Sequence, residues 1–109
     1  MAETIKVHSS SGNVFADLGL PDADQLIVKA ELAHHISEII SERQLAQAAA
    51  AELLGIDQPK VSALVHGKLS GFSIERLFRF LNALGSNVEI RIIPSSQADS
   101  KAQTHVVSV

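Results

Sequence analysis

Between residues 47 and 64 (QAAAAELLGIDQPKVSAL) small and apolar side chains recur at intervals that constrain the whole chain. Counted from Gln47, Ala51 falls fifth, Gly55 ninth and Val61 fifteenth, with Ala50, Leu54, Ile56 and Leu64 filling the apolar positions between. Two helices that cross steeply over a turn of three or four residues touch near the fifth position, where only a small side chain fits. The chain must then reverse, and positive φ strains a glycine least because it has no Cβ. Leu54, Ile56, Val61 and Leu64 close a small core. The spacing predicts a helix-turn-helix; an ordinary helix pair inside a bundle would satisfy the same pattern.

Size and composition fit one such domain with short appendages. The chain has 109 residues, 46% of them apolar, but only four Phe and no Trp or Tyr. Its core must therefore be built from Leu, Ile, Val and Ala. It has no cysteine, so there is neither a disulfide framework nor a thiolate zinc site, as suits a reducing cytosol. The opening residues (MAETIKVHSS) lack the long apolar run of a signal peptide, and no stretch reaches the ~18 apolar residues of a membrane span. The expectation is a soluble, cytoplasmic protein with no membrane partner.

A net charge of −3 argues mildly against a nucleic-acid binder until it is divided along the chain. Residues 1–41 hold two lysines against six carboxylates, a net of −4. Residues 42–80 hold five cations against four carboxylates, a net of +1, and the remainder balances. The cations gather around the motif. One pole could face phosphate and the other a basic partner, although a plain solvated acidic helix would look the same.

Periodicity predicts a mostly α fold of four to five helices with one C-terminal β-strand. Residues 1–21 form a leader with a possible short strand at 4–7; residues 22–93 form the domain, and residues 94–109 a flexible tail. Asp22 is a good N-cap with Gln25 three residues on, and Leu26, Ala30, Ala33, Ile36, Ile39 and Ile40 follow at helical spacing to about Glu42. A second helix spans roughly 46–54. Asp57 caps a third, with Pro59 in its first turn, ending near Val65. Ser73 caps a fourth, whose apolar face is Leu77, Phe78, Leu81 and Leu84, with Gly85 as its stop. The period then changes: residues 88–93 (VEIRII) alternate as a strand before Pro94. A lone strand after four helices lacks a partner, so Val88, Ile90 and Ile92 are expected to pair with the same strand of a second protomer in a homodimer.

From about residue 22 to 85 the chain resembles the Cro/repressor-type helix-turn-helix family. Within that family it is most similar to the HigA-type antitoxin regulators that accompany RelE-like (HigB-type) toxins. The residues that carry the resemblance are 13–26 (NVFADLGLPDADQL), 53–73 (LLGIDQPKVSALVHGKLSGFS) and 79–92 (RFLNALGSNVEIRI), which from first to last span about three quarters of the chain. The resemblance implies a compact helical dimer that binds an inverted-repeat operator in double-stranded DNA and represses its own toxin operon. Three residues depart from the family pattern. Ala46 stands where a capping Thr is usual, Ala63 where many relatives have a long polar base reader, and His66 where Arg or Asn is frequent.

In a helix-turn-helix the second helix enters the major groove by its N-terminal residues. With Val61 and Leu64 pointing inward, the outer face of helix 58–65 carries Gln58, Pro59, Ser62 and Ala63. Gln58 suits adenine N6 and N7, Pro59 and Ala63 offer apolar contact to a thymine methyl, and Ser62 can donate to a base or phosphate. Lys60 at the edge of the face, Lys68, His66 and the backbone near Gly67 are candidate phosphate contacts. Gln47 resembles the family glutamine that bonds a phosphate and braces the recognition helix. For a toxin, Val14, Phe15 and Leu18 would be apolar anchors with Asp17 at the rim; these residues could equally pack on the protein's own helices.

Other chemistries find no support in the sequence. His34 and His35 are adjacent on a helix and diverge by about 100°, so they cannot chelate one ion. No serine sits in a nucleophile elbow, and Gly67-Lys68 lacks the upstream glycine of a P-loop. The chain is therefore expected to be a non-enzymatic DNA-binding repressor and antitoxin without metal or cofactor. The alternatives are a stand-alone repressor and an interaction module that has lost DNA binding.

Overall fold

The computed structural model describes residues 23–94 and 104–107. Four helices follow one another: α1 (Ala23–Glu42), α2 (Gln47–Leu54), α3 (Gln58–Val65) and α4 (Ile74–Ala83). The expected Asp22 cap, the leader and most of the tail lie outside the described residues.

Residues Lys29–Asn87 pack as one unit. The buried stripe of α1 is Val28, Leu32, Ala33, Ile36 and Ile40, stepping by four residues as one helix face does. Leu26, Ala30 and Ile39, expected in the core, are only half-buried because they lie on the flanks of that face. On α4 the buried residues are Leu77, Phe80 and Leu81, followed by Leu84 at its end. Phe80 replaces the expected Phe78, which is half-buried. Three residues separate Leu77 from Phe80, which keeps them on one face, whereas Phe78 is turned some 100° from Leu77. Phe72, in the loop before α4, is also buried, and its ring meets that of Phe80 edge-on at 5.9 Å.

The turn after α1 is held at both ends. Gln44 takes φ 55°, a left-handed value that costs a residue with a Cβ of order 1 kcal/mol. Its amide donates to the Ser41 carbonyl and that of Leu45 to the Ile40 carbonyl, which closes the helix. The adjacent Arg43 donates through Nη1 to the Leu84 carbonyl at 3.1 Å, fastening this turn to the end of α4.

Among the described residues there is no strand. Ile90 and Val106 each make an isolated β-bridge, and nothing longer forms over 88–93. Ile92 is 85% exposed and Ile93 46%, while Val88 and Ile90 are half-buried. Alternation gives a segment two faces, but a strand exists only where a partner supplies the ladder.

Candidate nucleic-acid interface

The site is built on α2 and α3, each eight residues long. α2 packs on both α3 and α4. Ala50, Ala51 and Leu54 form its buried side, so the small residue at the fifth position lies inside as the spacing required. Gly55 then takes φ 71° and its amide, with that of Ile56, donates to the Ala51 carbonyl. A Cβ on Gly55 would meet nothing within 4 Å. The glycine is needed for its backbone conformation and not for space.

The start of α3 is firmly set. Asp57 in extended conformation accepts the Lys60 amide on its carboxylate at 3.0 Å, and Pro59 occupies the first turn, where a missing N–H removes no helical bond. Val61 and Leu64, 0% and 1% exposed, anchor the inner face. Gln58, Pro59 and Lys60 are consequently exposed together on the first turn, and Ser62 and Ala63 are half-buried behind them. Gln47, the first residue of α2, is exposed as well.

The far end of α3 differs in part from the sequence expectation. Gly67 takes φ 75°, its amide donates to the Leu64 carbonyl and that of Lys68 to the Ala63 carbonyl at 2.8 Å. Both amides are therefore engaged in ending the helix, which removes the backbone near Gly67 from the phosphate candidates. His66 is exposed but turned back on its own helix, with Nδ1 2.8 Å from the Ser62 carbonyl and 3.4 Å from Ser62 Oγ. A carbonyl can only accept, so Nδ1 donates in this contact, and Nε2 could then donate to a phosphate only from the doubly protonated ring. The Lys68 side chain is exposed.

Two features of the structure have no signal in the local sequence pattern. Arg43 makes the long-range bond to Leu84 already described. Phe72 and Phe80 flank Arg76, whose guanidinium carbon lies 5.4 Å and 5.5 Å from their ring centres. The spacing of four residues on either side of Arg76 was visible, but Phe72 precedes the helix, so periodicity alone did not join the three.

Other chemistry finds no site among the described residues. No group of His, Cys, Asp and Glu side chains is placed to hold a metal ion. His34 and His35 instead approach Glu38, at 3.2 Å and 3.9 Å. No helix is long and apolar enough to cross a membrane. Val14, Phe15, Asp17 and Leu18 lie outside the described residues.

Comparison with known proteins agrees with this architecture. A family model described as a helix-turn-helix domain matches residues 14–93. A solved structure described as a candidate XRE-family transcriptional regulator is 47% identical, with a TM-score of 0.77 over 82% of this chain and all of that one. No curated protein matches. The chain belongs to the helix-turn-helix family, in its XRE-type form.

Proposed function

We propose that this protein is a sequence-specific DNA-binding repressor, and that it is the antitoxin of a RelE-like toxin whose operon it autoregulates. One observation carries the DNA-binding half. The first turn of α3 exposes Gln58, Pro59 and Lys60 as a group, while Val61 and Leu64 fix the helix from behind. Gln58 and Pro59, with Ser62 and Ala63 behind them, face base edges; Gln47, Lys60, His66 and Lys68 serve the phosphates. The likeness to a regulator of the XRE family supports the same role.

In this reading two copies join through residues 88–93, with Val88, Ile90 and Ile92 across a two-fold axis. Their recognition helices would then meet half-sites about one helical turn, ~34 Å, apart. The exposure of Ile92 and Ile93 leaves apolar surface for such a partner. An Ile90→Pro variant removes a ladder donor and should be monomeric by light scattering. A variant that stays dimeric would move the interface elsewhere.

The toxin half rests on sequence. RelE-like toxins are basic, and the net −4 of residues 1–41 supplies complementary charge in the half of the chain without the recognition helix. Val14, Phe15 and Leu18 are the proposed anchors and Asp17 a rim charge. Deleting residues 1–20 tests this: the truncated chain should still bind operator but no longer neutralise the toxin. Retained neutralisation would place the toxin on another surface, and the absence of any toxin gene next door would leave a stand-alone repressor.

A further inference from the structure

The loop between α3 and α4 is tied down at its front by α3 itself. The Gly67 and Lys68 amides close on the Leu64 and Ala63 carbonyls. At its rear the loop depends on Arg76. The Phe72 amide donates to the Leu69 carbonyl, making a tight turn at 69–72. Arg76 holds that turn from α4 in three ways. Its Nη1 donates to the Gly71 carbonyl at 3.3 Å, and its guanidinium lies over both Phe72 and Phe80. Its own amide is accepted by Ser73 Oγ at 3.1 Å, which fixes the start of α4.

The two rings are buried and meet at 77°, while Arg76 is half-buried between them and solvent. A planar, delocalised cation can lie against two aromatic faces and still donate in its own plane; an ammonium cannot do both. Arg76 thus does more than carry charge: it holds the rear of the loop, from Gly71 to Ser73.

We propose that Arg76 is a positioning residue for DNA binding: it holds the rear of the loop, residues 71–73, while α3 holds the front, and only with both ends held is the Lys68 side chain presented to the phosphate backbone. This rests on the DNA-binding reading above. Arg76 acts on DNA through Lys68 and reads no base.

A double-mutant cycle tests it. Wild type, Lys68→Ala, Arg76→Lys and the double variant are titrated onto a duplex of the protein's own upstream region and onto random duplex, at several salt concentrations. Lys68→Ala should weaken both duplexes by the same factor and lower the salt slope by about 0.9, as loss of one phosphate contact does. Arg76→Lys keeps the charge yet should lower the slope by most of the same amount, and should add almost nothing in the Lys68→Ala background. Phe72→Leu, which leaves Arg76 in place but removes one ring, should behave like Arg76→Lys and supplies a second route if either variant folds poorly. A merely less stable protein scales every affinity together and leaves the slope unchanged, so the slope separates positioning from stability.

Equal losses from Arg76→Lys with and without Lys68, an unchanged slope, or no effect of Lys68→Ala would each overturn the proposal. If wild type binds neither duplex in a salt-dependent way, it is the DNA-binding reading that fails, and this inference falls with it.

Discussion

α2 and α3 are the same length and pack on one another, yet their starts are built differently. α3 begins with a carboxylate cap and a proline. α2 begins at Ala46, extended in backbone but with no side chain to accept the first amides. α3 is capped at the end proposed to meet bases, whereas α2 is held mainly by burial of Ala50, Ala51 and Leu54. The contrast shows that a helix of this length can be set either by a capped start, as in α3, or by burial of its inner face alone, as in α2. Ala46, the residue that departs from the usual Thr, leaves the first turn beside Gln47 without a side-chain cap.

Three variants test how each helix start is held. The largest effect is expected at Ala51, where α2 relies on a small buried residue. Ala51→Leu overpacks the site and should cost about 1–3 kcal/mol in urea unfolding, with operator binding weakened in parallel. Asp57→Ala removes the α3 cap and should cost about 1 kcal/mol, with discrimination between operator and random DNA reduced beyond the loss of stability. The smallest is a gain. Ala46→Thr supplies the absent cap to α2 and should add about 0.5 kcal/mol, seen as slower hydrogen exchange at the first amides of that helix. If Ala46→Thr stabilises as much as Asp57→Ala destabilises, the two starts carry equal weight and the asymmetry has no role.

The readable parts of this fold were those governed by neighbours in sequence. Asp57 and Ser73 sit three residues before the amides they cap, and Gly55 marks its turn without reference to the rest of the chain. The parts that could not be read depend on distance or on a partner. Arg43 and Leu84 are 41 residues apart, and nothing in either announces their bond. Phe72 lies outside any helix, so its pairing with Phe80 appears only once the loop is folded. Gln44 adopts a glycine-like φ because the turn after α1 demands it, against its own preference. Residues 88–93 show the opposite failure. Their alternation reads plainly as a strand, but the described residues of one chain do not supply the other half of a ladder. In the site, the exposed first turn of α3 was legible from Val61 and Leu64, whereas the engagement of the Gly67 and Lys68 amides was not.

The central claim is that α3 reads bases through its first turn, and Gln58 is the residue that tests it most directly. Binding of wild type and Gln58→Ala should be measured by fluorescence anisotropy on the upstream operator and on random duplex at one salt concentration. Gln58→Ala should lose roughly 1–3 kcal/mol for each bidentate base pair read on the operator, and almost nothing on random DNA. Equal losses on both duplexes would contradict it, since Gln58 would then be a backbone contact and the exposed turn of α3 would not be the reader.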